Sequence, residues 1–108
     1  MTMSYDVSFT EEAIEDLSFL TIYEAQYTFS TERAQARVDE LMESISSSLS
    51  AFPARIPEKP YGFTDTPRRK FLVGKYAAFY WVDDKTNTVY VERILHSKAD
   101  FSRIHFGN

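Results

Sequence analysis

The sequence predicts an α+β domain in the order β-α-α-β-β-β, with an N-terminal helical hairpin packed on a small, mainly antiparallel sheet. Three observations predict it. Apolar and polar residues alternate over residues 5–10, the period of a half-buried strand. Apolar residues then recur at spacings of three and four as far as residue 52, and a capping signal near residue 30 divides them into two helices. After a stretch that holds every proline, three runs rich in aromatic and β-branched residues are separated by short polar turns.

Each element has its own local cause. Thr10 ends the first strand and is placed to N-cap a helix, with Glu11 and Glu12 in the first turn favouring the positive end of the dipole. Ala13, Leu17, Leu20, Tyr23 and Tyr27 mark one face of that helix. Ile14, Phe19, Ile22 and Phe29 widen the face, which predicts contact with two neighbours. Ser30 or Thr31 caps the second helix, where Ala34, Val38, Leu41, Ile45, Leu49 and Phe52 keep helical phase. The serine-rich run 44–50 stays in that phase through Ile45 and Leu49, so it reads as a polar-faced helix end and not as a linker. The joint between the helices is short, which makes them antiparallel. Pro53, Pro57, Pro60 and Pro67 then mark residues 53–67 as an irregular surface loop.

Residues 68–73 begin the strands, and Gly74-Lys75 fits a two-residue type II′ connection with glycine first. Residues 76–82 are almost wholly apolar, as expected of a central strand covered on both faces. A polar turn at 83–87 leads to the last strand, 88–96. Residues 97–104 are expected to form a short terminal turn that Asp100 caps. No internal repeat is visible, and 108 residues make one domain, 1–108.

Composition excludes several chemistries. With no cysteine there is no disulfide, thiolate zinc site or cysteine nucleophile, and two histidines argue against a multi-histidine metal site, so no metal and no cofactor is expected. The three glycines are too scattered for a phosphate-binding loop or a dinucleotide fingerprint. No run approaches the length of a membrane span, and the start lacks a basic segment followed by an apolar one; a cytoplasmic protein with no membrane partner is expected. The net charge of −4 conceals a split: residues up to Phe52 carry ten acids against two bases, and the remainder six acids against ten bases. An acidic front half and a basic back half suggest two surfaces with different partners.

Four segments carry a resemblance. They are residues 5–13 (Tyr-Asp-Val-Ser-Phe-Thr-Glu-Glu-Ala), 69–73 (Arg-Lys-Phe-Leu-Val), 76–84 (Tyr-Ala-Ala-Phe-Tyr-Trp-Val-Asp-Asp) and 89–100 (Val-Tyr-Val-Glu-Arg-Ile-Leu-His-Ser-Lys-Ala-Asp). In this order they resemble the opening strand and helix cap, the meander and the closing strand of the RelE/ParE superfamily of toxins from type II toxin–antitoxin pairs. The likeness runs over about residues 5–104. It implies a growth-inhibiting toxin neutralised by a cognate antitoxin, in a possible toxin–antitoxin hetero-oligomer. It also implies one of two targets: RelE-like members cut mRNA on the ribosome, whereas ParE-like members poison DNA gyrase and are not nucleases. A degenerate module that only docks its antitoxin is a further alternative. Fold does not choose among them.

A metal-free endoribonuclease needs a base for the 2′-hydroxyl, a cation for the phosphorane charge and an acid for the leaving oxygen. His96 suits the first or the third role, because imidazole titrates near neutral pH, and otherwise is a hydrogen-bonded residue at a strand end. Arg68, Arg69, Lys70, Lys75, Arg93 and Lys98 are the candidate RNA or phosphate contacts. Arg93 is equally suited to pair with an acid under the helices. Tyr76, Tyr80 and Tyr90 could stack a base, donate a proton or fill the core. In a straight strand His96 shares a face with Tyr90, Glu92 and Ile94 and opposes Arg93. RelE-like nucleases commonly carry an arginine directly after the residue that matches Tyr76; here it is Ala77, and Lys75, Arg69 or Lys98 would have to replace the missing cation. The first expectation is ribosome-dependent mRNA cleavage through His96, with Arg69, Lys70 and Lys98 on the phosphates, and gyrase inhibition stands close behind it. His105 carries little weight.

Overall fold

The computed structural model describes residues 4–59 and 67–98. In chain order they form β1 (Asp6–Phe9), α1 (Glu11–Thr28), α2 (Thr31–Ala51), a single 3-10 turn (Pro53–Arg55), β2 (Arg69–Val73), β3 (Tyr76–Asp83) and β4 (Thr88–His96). The sheet order is β1-β4-β3-β2, with β1 parallel to β4 and the other neighbours antiparallel. The α+β order and the helical hairpin are those expected.

The predicted caps form. The Thr10 hydroxyl oxygen accepts the Ala13 N–H at 3.2 Å and donates its own proton to the Glu92 carbonyl at 3.0 Å, so one residue closes α1 and ties it to β4. Ser30 caps α2 by accepting the Arg33 N–H at 3.2 Å. Between the helices Phe29 adopts a left-handed conformation, φ 55°, and its N–H closes on the Ala25 carbonyl at 3.0 Å. Glycine or asparagine is usual there; a bulky side chain costs roughly 1–2 kcal/mol.

The core lies between the hairpin and one sheet face. The α2 seam is buried as expected at Ala34, Val38, Leu41, Ile45 and Leu49, whereas Phe52 is exposed. It meets Ala13, Leu17 and Leu20 of α1 and Tyr76, Ala78, Tyr80, Val89, Val91 and Ile94 of the sheet. The widened face of α1 is not packed: Ile14, Phe19, Ile22 and Phe29 are exposed. Contact with α2 and β4 is made instead by the narrow apolar face together with two buried carboxylates, Asp16 and Glu24.

The last strand is not straight. Phe79 pairs with Arg93 but Tyr80 pairs with Val91, so Glu92 is an extra residue on β4, a β-bulge. The bulge reverses the alternation: Val89 and Val91 before it, and Ile94 after it, all join the helix-facing core. His96 therefore faces the helices beside Tyr76, while Tyr90 stacks on Trp81 at 4.6 Å between ring centroids. β3 is interior to the sheet and buried from Tyr76 to Tyr80, as its composition predicts.

The loops follow their turn chemistry. Gly74 holds φ +57° ahead of Lys75, the first position of a type II′ turn. Asn87, at φ 51°, ends the turn before β4, and Asp83 Oδ1 accepts the Lys85 N–H at 3.0 Å. The described residues of the proline stretch carry some regular structure: the 3-10 turn is held by the Tyr80 hydroxyl on the Pro53 carbonyl at 2.6 Å, and Lys59 pairs with Arg68 as a bridge. The expected terminal turn beyond Lys98, with Asp100, and His105 lie outside the described residues.

Candidate functional site

The last turns of α1, the β2–β3 turn and the end of β4 meet at one end of the molecule. α1 places Glu24 there because residues 17, 20 and 24 share a helical face, so the carboxylate enters the core with Leu17 and Leu20. Glu24 is 3% exposed and has three partners. The Tyr76 hydroxyl donates to Oε1, Lys75 Nζ approaches the same oxygen at 3.0 Å, and Arg37 Nη1 approaches Oε2 at 3.1 Å. The Lys75 ammonium also lies 5.2 to 5.7 Å from the ring centroids of Tyr23, Tyr27 and Tyr76, within cation–π range. Burial alone would raise the Glu24 carboxyl, but the hydrogen bonds from Tyr76, Lys75 and Arg37 outweigh it and hold the group at about 2. Burial, followed by the Glu24 carboxylate, pushes the Tyr76 hydroxyl well above its ordinary value, so at neutral pH it stays a bound donor.

His96 stands beside this cluster. Its ring meets Tyr23 and Tyr76 edge-on, with centroids 6.0 and 5.9 Å apart. Phe19, Leu20, Tyr23, His96 and Lys98 enclose a groove of about 460 Å³. The Lys98 backbone N–H donates to His96 Nδ1 at 3.2 Å. A backbone N–H can only donate, so Nδ1 is the acceptor and the neutral ring carries its proton on Nε2.

The sequence-predicted cations are dispersed. Lys75, His96 and Lys98 come to one end of the molecule, where His96 and Lys98 line the groove and Lys75 lies over the Tyr23 ring beside it. Arg69 lies at the far end of β2, about 13 Å of strand away, its register partner being Tyr80 where Val73 pairs with Tyr76. Its guanidinium bonds the Ile56 carbonyl, the Ala54 carbonyl at 3.3 Å and Glu58 at 3.4 Å. Arg68 is 4% exposed and reaches across β3 to Glu92, with Nε at 2.8 Å and Nη2 at 3.4 Å. Lys70 is half-buried on β2, in register with Phe79. Arg93 pairs with Asp16 through Nε and Nη2, each at 2.8 Å. Ala77 is fully buried, in register with Leu95. Tyr76 and Tyr80 are buried and Tyr90 half-buried.

Glu24, Arg37 and Asp16 are site residues the sequence did not mark out, and Tyr23 and Phe19 stand out in it only as members of an apolar helix face. A signal was present for the two acids: Asp16 falls three residues after Ala13 and Glu24 four after Leu20, so each interrupts an apolar face and demands a cation.

Residues 7–101 match the family model of the ParE toxin of type II toxin–antitoxin systems, parDE. Among solved structures, the toxin–antitoxin complex RelBE2 of Mycobacterium tuberculosis is similar at 25% identity and TM-score 0.64, covering 89% of this chain and 94% of that one. The chromosomal ParDE system of P. aeruginosa shares the fold at TM-score 0.69 and 16% identity, covering 90% of this chain and 100% of that one. The archaeal RelE–RelB complex of Pyrococcus horikoshii OT3 shares it at TM-score 0.56 and 15% identity, over 89% and 98% of the two chains. No curated protein matches the chain. The match over residues 7–101, on a helical hairpin and mixed sheet that these structures share, makes the chain a member of the ParE toxin family of type II toxin–antitoxin systems, within the RelE/ParE superfamily.

Proposed function

We propose that this toxin acts by binding DNA gyrase and not by cutting RNA. The observation that carries the reading is the state of the cations. Position 77, where RelE-like nucleases commonly place an arginine, is a fully buried alanine. Two side chains that would have to replace it are already engaged, Lys75 with Glu24 and Arg69 with Glu58 and two backbone carbonyls. Arg68 and Arg93 are committed to Glu92 and Asp16. A phosphoryl-transfer site needs its positive charge aimed at the phosphorane, and loss of such a contact costs powers of ten in rate. The match to the ParE family model supports the same target.

Ribosome-dependent mRNA cleavage is the second reading. It is favoured by His96, which opens onto the groove with Lys98 beside it; there His96 would be the acid–base group and Lys98, Arg69 and Lys70 the phosphate contacts. In both readings residues 1–108 act as one domain in the cytoplasm and a cognate antitoxin silences it in a hetero-oligomer, as the toxin–antitoxin complexes among the similar structures suggest. Among the described residues no helix is long and apolar enough to cross a membrane.

The purified chain is expected to inhibit supercoiling of a relaxed plasmid by gyrase and to leave ribosome-bound mRNA whole. Cut mRNA with normal supercoiling reverses the proposal.

A further inference from the structure

We infer that the groove along the outside of the α1–α2 hairpin, apolar at its floor and acidic at its rim, is the surface that docks a cationic face of gyrase. The inference rests on the gyrase reading and names the part of the toxin that carries it.

Ile14, Ser18 and Thr21 of α1 and Gln35, Val38 and Met42 of α2 line a groove of about 340 Å³. Ile14 is 47% exposed, and Ile22, two four-residue steps further along the same row, is 62% exposed. The sequence pattern puts both on the apolar face of α1, yet the core does not use them. Two exposed isoleucines, one lining the groove and one a turn beyond Ser18 on the same solvent-facing helix, leave apolar surface of the kind that docks a complementary partner.

The charge at the rim has one sign. α1 contains no lysine or arginine. Glu11 lies three residues before Ile14, Glu15 stands one turn beyond Glu11, and both are exposed. On the opposite lip the Gln35 side-chain amide donates to Asp39 Oδ1 at 2.9 Å, which fixes that carboxylate beside the groove, and Glu43 continues the row one turn on. Arg37 points the other way, toward Glu24. An enzyme that grips DNA presents cations to the phosphates. The acidic hairpin is the complement of such a face, whereas the basic half of this chain has the wrong sign for it. Complementary charge raises the association rate and makes it salt-dependent.

The test uses the full chain with Glu15→Lys/Asp39→Lys, with Ile22→Ser, and with Lys85→Gln, in the exposed β3–β4 turn, as a reference outside both grooves. The changed side chains on the hairpin are exposed, so urea midpoints should stay near wild type. The probe is purified gyrase on relaxed plasmid at low and at physiological salt. Charge reversal is expected to weaken inhibition about tenfold or more and to flatten its salt dependence, Ile22→Ser to weaken it severalfold, and Lys85→Gln to leave it unchanged. Undiminished inhibition by the charge-reversed chain overturns the inference while the gyrase reading stands. A wild type that never inhibits gyrase overturns that reading and the inference with it. Intact gyrase inhibition with lost neutralisation by the cognate antitoxin assigns the groove to the antitoxin instead and also overturns the inference.

Discussion

Asp16 and Glu24 stand eight residues apart on one helix, both buried, both acidic, and they are used in opposite ways. Asp16 is closed on all sides by the fold. It accepts Arg93 twice at 2.8 Å and the Ile94 backbone N–H at 3.0 Å, so it covers the edge of β4 just past the end of β1. Glu24 draws two of its three partners from solvent: Arg37 and Lys75 side chains are 59% and 44% exposed. The first carboxylate fastens helix to sheet. The second organises a rim of tyrosines, lysine and histidine around a groove. A buried ion pair is therefore not one kind of object, and what separates the two is whether the cation comes from the fold or from the water side.

Breaking the closed pair should have the largest effect. Asp16→Ala strands the Arg93 guanidinium and the Ile94 N–H, and is expected to cost about 3–5 kcal/mol, read as a fall in the urea midpoint. A loss below about 1 kcal/mol would place Asp16 in the same class as a surface pair.

Glu24→Gln should cost less, about 1–2 kcal/mol at neutral pH, because solvent screens the two exposed cations. It should also change the pH profile. The folded-state value of about 2 lies below the ordinary 4.5, so the carboxylate contributes its full stability above about pH 5 and loses it as pH falls from 4.5 toward 2. Wild type should weaken across that window, and Glu24→Gln should weaken less, measured by thermal unfolding at stepped pH. Parallel profiles would show that Glu24 is not held by its partners.

The smallest effect is expected from Lys75→Met, under about 1 kcal/mol, since its cation is largely exposed. It should nonetheless shift the Tyr23 and Tyr27 ring resonances in an NMR spectrum, because the ammonium lies over both rings. Unmoved tyrosine resonances would remove Lys75 from the rim.

Much of this was legible in the sequence for a local reason. Thr10 and Ser30 announce their helices because a capping oxygen acts within three residues. The seam from Ala34 to Leu49 keeps one period over its whole length, and Gly74 marks a turn that demands its conformation. The rest depends on partners far away in the chain. The Glu92 bulge follows from how β4 meets β3, and without it the face of His96 is assigned beside the wrong neighbours. Arg93 finds Asp16 across 77 residues and Arg68 finds Glu92 across 24, so a list of cations could not say which were already engaged. The exposed Ile14, Phe19 and Ile22 mislead for the same reason, because apolar spacing reports a face but not what covers it.

On the gyrase reading proposed above this toxin works by binding and not by acid–base chemistry, and His96→Gln tests that most directly. Glutamine keeps size and hydrogen bonding but cannot titrate near neutral pH. Wild type and variant are to be compared for growth arrest, for gyrase supercoiling and for cleavage of ribosome-bound mRNA. Equal arrest, equal inhibition of supercoiling and intact mRNA are expected in both. Cleavage of mRNA by the wild type that falls by about 10²–10⁴-fold in His96→Gln, with growth restored, would contradict that reading.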